Sequence, residues 1–273
     1  MRSTPAVLRP GTELPGTGRP APETSGPETS GTERSGVRRH GMRALGAAVI
    51  ALALVAGTAA CSLVGGNSPV PVATATAPTG TDGAVNFDGG YIQTGTGSKH
   101  VDIWFDPMCP ICGEFEKANG ETLAKAVSDG TITLRLHPLT FLDRASNGTG
   151  YSTRASAALT CVAVKEPNGA LDYYTALFAN QPEENSNGLT NEELAKLATD
   201  NGLTDITDCL GRSGPYQAWA QANTAHSQTG PIVVDDKKVL DTIQGTPTVL
   251  VNGTQFAGKV TDAAAFTSFL AKH

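Results

Sequence analysis

Apolar positions between residues 90 and 139 change their spacing twice. The stretch His100–Asp106, HVDIWFD, is apolar-rich and predicts a buried strand; Gly90–Thr94 ahead of it predicts a short one. From Pro110 to about Ser128 the spacing turns helical, with Phe115, Leu123, Ala124 and Val127 recurring, and Gly120 inside it marks a place for a kink. Asp129-Gly130 is a turn signal. Thr131–Leu139, TITLRLHPL, begins β-branched and alternating, as a strand does. Strand, helix, strand in this order predicts a βαβ unit with parallel strands.

From about 143 to 230 the pattern is mostly helical. Candidate helices are Ser152–Lys165, Gly169–Asn180, Asn191–Asn201 and Tyr216–Ser227, and Thr190 with Glu193 has the form of a capping box. Thr248–Val251 and Thr254–Ala257 then flank Asn252-Gly253, a strong hairpin signal. Thr261 or Asp262 caps a last helix to about Lys272. The predicted class is α/β: β-α-β, a helical block, then β-β-α.

The first 85 residues follow neither period. Residues 1–41 hold six Pro, seven Gly, six Thr and four Ser, with PETSG repeated at Pro22–Gly26 and Pro27–Gly31. So few large apolar groups cannot offset the entropy of ordering a chain. Two readings are open: a disordered extension, or untranslated sequence with Met42 as the start. From Met42 the chain has Arg43, then a 17-residue uncharged run, Ala44–Ala60, the length of a signal-peptide core rather than a membrane span. It ends Thr58-Ala59-Ala60-Cys61. Residues 42–60 are therefore expected to be a signal peptide. Small residues before a Cys resemble the lipobox of bacterial lipoproteins, which implies lipidation at Cys61, although Thr58 stands where that family has an aliphatic residue. The alternatives are plain secretion or an uncleaved anchor. Residues 61–85, rich in Gly, Pro, Thr and Ala, are expected to be a flexible linker, leaving 86–273 as the folded domain.

Charge divides the same way. Residues 1–60 carry seven Arg against four Glu, a net of +3; the rest carries 13 basic and 22 acidic residues, a net of −9. An acidic folded part argues against nucleic-acid binding.

The five cysteines lie at 61, 109, 112, 161 and 209. Cys109-Pro110-Ile111-Cys112 follows a predicted strand and opens a predicted helix. Unpaired N–H groups in a helix's first turn favour a thiolate, so Cys109 is the candidate nucleophile. Pro110 fits the first turn, where its missing N–H costs nothing. Cys112, one turn in, is the candidate resolving thiol. Alone, the motif also fits half a zinc site or a structural disulfide. Zinc needs two more ligands, yet there is no second CxxC and the His residues are scattered at 40, 100, 137, 226 and 273, so no metal is expected. A second feature is Gly245-Thr246-Pro247-Thr248, a proline at a strand start, open to a cis bond or an ordinary loop end.

The pieces FDPMCPIC, from Phe105 to Cys112, and GTPTVLVNG, from Gly245 to Gly253, resemble the thioredoxin-fold superfamily, specifically the DsbA-like thiol–disulfide oxidoreductases; the helical block, about 143–230, sits where that family has its insertion. The resemblance covers about 86–273. It implies that Thr246 and Pro247 line the substrate groove and that Glu116, four residues after Cys112, serves in proton transfer from that thiol; a solvated helix face is the other reading of Glu116. Asp106, three residues before Cys109, would raise the thiol pKa if close. Some DsbA-like proteins carry a second disulfide, which implies a Cys161–Cys209 bond; buried free thiols, or a relay of electrons to the CPIC pair, are the alternatives. Strongly oxidising members carry His within the motif where this chain has Ile111, so a milder oxidant is expected. The implied activity forms disulfides in exported proteins, outside the cytoplasm, with no cofactor and with a membrane partner of the DsbB or VKOR kind. A reductase or isomerase of the same fold is one alternative, and a non-redox peptide-binding or chaperone module another.

Overall fold

The computed structural model describes residues 73–273. The extension over 1–41, the signal peptide over 42–60, Cys61 and the first part of the linker lie outside the described residues.

The fold begins before residue 86. Strands β1 (Thr81–Asp82) and β2 (Val85–Asn86) fall at the end of the expected linker, and Val85 is fully buried. Gly83, at φ +56, lies so close to the backbone of Ala163 and Val164 that a side chain there would clash. A Gly- and Thr-rich sequence therefore does not mean a tether here; bare backbone is what fits against the helical block.

β3 (Tyr91–Thr94) and β4 (Lys99–Phe105) follow, then helix α1 (Pro110–Ser128) and β5 (Ile132–Pro138). β4 and β5 are parallel, with Val101 opposite Leu134 and Ile103 opposite Leu136. α1 buries Cys112, Phe115, Glu116, Asn119 and Leu123, a stripe at helical spacing. It runs unbroken through Gly120, so the glycine does not end the helix. What Gly120 provides is room, since a Cβ would press on the Glu116 carboxylate.

A 3-10 turn, Phe141–Ala145, leads into the helical block: α2 (Tyr151–Lys165), α3 (Ala170–Ala179), α4 (Asn191–Asp200), α5 (Thr207–Leu210) and α6 (Gly214–Thr229). α2 is its axis, with twelve of its fifteen residues buried. α4 starts on the Thr190–Glu193 capping box.

Next comes a hairpin absent from the sequence expectations, β6 (Ile232–Val234) and β7 (Lys237–Leu240), turning on Asp235-Asp236, both at positive φ. β8 (Thr248–Val251), β9 (Thr254–Gln255) and α7 (Ala263–Lys272) close the chain, with Asp262 as the N-cap of α7. The main sheet has the order β1-β2-β3-β5-β4-β8-β9. β4 is therefore flanked on both edges and buried from Val101 to Phe105, and its C-terminal end delivers the CPIC motif. Val101, Ile103 and Phe105 belong to the main core with Phe115 of α1 and Tyr174 of α3; Trp104 joins a smaller cluster under the β6–β7 hairpin. Among the described residues, no helix is long and apolar enough to cross a membrane.

Candidate active site

Cys109 is the N-cap of α1, at the end of the turn Asp106-Pro107-Met108, and no side chain caps the helix there. No capping side chain competes with the sulfur for the positive end of the helix. Cys109 is 7% exposed and Cys112 fully buried, while Ile111 between them is 45% exposed. Both thiols are free. The Cys109 pKa is drawn down to about 6, first by the Cys112 thiol, which donates to it, then by the Thr246 hydroxyl and the N–H groups of Cys112 and Ile111, all against the opposing pull of burial. Cys112 moves the other way, pushed well up by burial and by the neighbouring Cys109. At neutral pH Cys109 is therefore the thiolate of the pair, while Cys112 keeps its proton.

The Thr246–Pro247 bond is cis, and the Thr246 carbonyl lies 3.4 Å from the Cys109 sulfur, placed to accept from it when the thiol is protonated. Beside the sulfur opens a groove of about 710 Å³ walled by Ile111, Phe141, Leu142, Arg144, Ile243 and Gln244 as well as Cys109 and Thr246. Pro247 supplies the bend and does not itself line this groove.

Glu116 lies one turn beyond Cys112. It is 7% exposed, its Oε1 accepts from the Thr175 hydroxyl at 2.8 Å, and burial raises its pKa. Its hydrogen bond thus reaches across to α3 and not to Cys112. Its Oε2 is buried with no protein partner. The solvated-face alternative does not describe this residue.

Cys161 of α2 and Cys209 of α5 are joined by a disulfide, with Cα atoms 5.9 Å apart and a separation of 48 in sequence. Among the described residues, no group of three or more His, Cys, Asp or Glu could hold a metal ion.

Two contributors escaped the sequence. Gln181, just past α3, donates from Nε2 to the carbonyls of Pro107 (3.0 Å) and Cys109 (2.8 Å), bracing the thiol turn from the helical block. Nothing local marks a glutamine 72 residues away. The Phe141–Arg144 wall also has no motif; its position comes from the 3-10 turn after β5.

Comparison with known proteins agrees with this geometry. The thioredoxin family model matches residues 95–271. The chain is 35% identical over 144 residues to the serine/threonine-protein kinase PknE of Mycobacterium tuberculosis, which is 51% of this chain and 25% of the kinase, so the match spans a quarter of that relative's length. Among solved structures it is similar to the reduced disulfide bond oxidoreductase DsbG of M. tuberculosis (29% identity, TM-score 0.52, covering 64% of this chain and 77% of that one). It is also similar to oxidised DsbA of M. tuberculosis (27%, TM-score 0.52, 67% and 98%). MdbA of Actinomyces oris, at 20% identity and TM-score 0.54, shares the fold and is covered in full by 74% of this chain. Family match, fold and paired thiols at the helix start lead to one conclusion: the chain belongs to the thioredoxin family, as a thiol–disulfide oxidoreductase of the DsbA-like kind.

Proposed function

We propose that this protein forms disulfides in exported proteins, working outside the cytoplasm from a lipid anchor at Cys61. The single observation that carries the oxidising direction is the opposed tuning of the two thiols, with Cys109 drawn down to about 6 and Cys112 pushed up. In the oxidised enzyme Cys109 and Cys112 are bonded. A substrate thiolate attacks the Cys109 sulfur, and Cys112 leaves and takes up a proton, for which Glu116 is the nearby acid candidate. The substrate's second thiolate then attacks the substrate sulfur of the mixed disulfide, and Cys109 leaves as a stabilised thiolate. Two electrons pass from the substrate dithiol to the enzyme pair, and a membrane quinone-linked partner of the DsbB or VKOR kind removes them. A good leaving group at Cys109 favours this direction. Thr246, which lines the groove beside the sulfur, would hold the substrate backbone there, and Pro247 next to it would fix the loop that presents Thr246.

Support for the location comes from the leader-like run Ala44–Ala60 and from a disulfide within the helical block, which suits an oxidising compartment. The lowered Cys109 pKa makes it the better leaving group of the pair, which is consistent with an oxidant. Apolar Ile111, which offers the thiolate neither charge nor donor, favours the second reading, a reductase or isomerase. The reduction potential of the Cys109–Cys112 pair decides between them. A value well above about −270 mV supports oxidation, and one at that thioredoxin level overturns it. A Cys112→Ala variant traps substrates as mixed disulfides; trapping none would favour a non-redox binding module.

A further inference from the structure

Asp106 is fully buried three residues before Cys109, and its carboxylate's hydrogen-bond partners lie on three different pieces of the site. Its Oδ1 accepts from the Met108 N–H at 2.8 Å, in the turn that carries Cys109. The same oxygen accepts from the Ser152 hydroxyl at 2.6 Å, in the first turn of α2. Its Oδ2 accepts from the Leu142 N–H at 2.8 Å, in the groove wall. Its backbone carbonyl accepts from the Cys109 N–H at 3.0 Å. One side chain therefore ties the strand end, the thiol turn, the wall and the axis of the helical block.

We propose that Asp106 is a positioning residue for dithiol–disulfide exchange, fixing the Cys109 turn and the Phe141–Arg144 groove wall as one unit so that a bound polypeptide meets the sulfur in register. The proposal rests on the exchange reaction given above. A buried carboxylate is an expensive way to join three segments, and burial, opposed by these hydrogen bonds and reinforced by nearby Asp143, holds its pKa at about 7. An apolar side chain would leave the Met108 and Leu142 N–H groups buried without acceptors. An amide has one acceptor oxygen and turns a donor toward the other partner, so it cannot satisfy all three. The consequence differs with substrate size. A small thiol needs only the sulfur, whereas a polypeptide needs sulfur and wall at a fixed separation, and small displacements of a reacting group are costly.

The test compares exchange with a reduced, unfolded polypeptide and exchange with glutathione. Asp106→Asn is expected to lower kcat/KM for the polypeptide about tenfold and to change the glutathione rate several-fold less. Asp102→Asn, an equally buried carboxylate four residues earlier that bonds to His137, controls for lost stability and should leave the ratio of the two rates unchanged. Should Asp106→Asn fail to fold, Ser152→Ala removes a single partner and should shift the ratio the same way by about two- to threefold. A ratio equal to wild type in the folded variant overturns the proposal while leaving the enzyme's function intact. A wild-type protein with no exchange at all removes the function and the proposal together.

Discussion

The chain holds two cysteine pairs that share a residue type and differ in placement and state. Cys109 and Cys112 are three positions apart around the first turn of α1, with one sulfur at the helix N-cap beside a loop carbonyl. Cys161 and Cys209 are 48 positions apart, on α2 and α5, with Cys161 fully buried in the block. The first pair closes almost no chain, so its bond contributes little loop entropy and can be exchanged freely; the second constrains a long loop in the unfolded state. Helix position adds the other difference. At the N-cap a sulfur meets unpaired N–H groups and becomes a thiolate, whereas mid-helix at Cys161 those groups are already paired within the helix. Placement, not residue type, separates a reactive pair from a staple.

The largest expected effect breaks this contrast outright. Cys109→Ser should reduce exchange by about a thousandfold or more, since no thiolate remains to form the mixed disulfide. Cys161→Ser with Cys209→Ser should keep the exchange rate within about twofold once the protein is folded. Its cost falls on stability instead. Removing a bond across this loop should lower the free energy of unfolding by about 3–4 kcal/mol in the chain-entropy model, read from urea unfolding of the oxidised proteins. Loss of exchange in the folded double variant would instead make the second pair part of an electron relay.

The third prediction sharpens the electrostatic half. Ile111→His places a chargeable donor beside the Cys109 thiolate. Its pKa should fall by about one pH unit, and the potential should rise by about 30 mV, one unit being about 1.4 kcal/mol. Thiolate absorbance in the reduced protein reads the first, glutathione equilibria the second. The sign of the pH dependence follows from the wild-type values. The folded pKa of Cys109 lies below its ordinary 9.0, so its contribution to the reduced fold is complete above about 9 and is lost as pH falls through about 6. The variant should hold that contribution to about one pH unit lower.

Much of this was legible in local sequence. The βαβ order, the boundaries of α1, the capping box at Thr190 and the Asn252-Gly253 hairpin are all written in short-range periodicity and turn chemistry. Cys109 and Cys112 were legible because a helix start acts on whatever sits there. What escaped was set over long range or by unusual residues. The β6–β7 hairpin turns on Asp235-Asp236, two residues at positive φ without glycine, so the ordinary turn signal is missing. β1 and β2 hide in a Gly- and Thr-rich stretch whose meaning depends on α2 lying against it. Asp106 was visible as a charge near the thiol, but its three partners, at 108, 142 and 152, were not.

Gln181 is the smallest of these long-range contributors, and it separates bracing from tuning. Its Nε2 bonds two carbonyls of the thiol turn but does not touch the sulfur. Gln181→Ala should therefore slow exchange only a few-fold, and cost about 1–2 kcal/mol, while leaving the Cys109 pKa where it is. Gly113 offers the same test by another route. It faces the Gln181 amide oxygen so closely that a Cβ there would push the side chain off the turn, and that side chain is flexible enough to go. Gly113→Ala should match Gln181→Ala in exchange rate. It should lose less stability, because alanine within α1 is favoured over glycine by about 1 kcal/mol. Equal rates with unequal melting temperatures would assign the effect to the brace. A normal rate in Gly113→Ala would mean that the turn holds its shape without Gln181, and that the block supports the thiols through Asp106 and the groove wall alone.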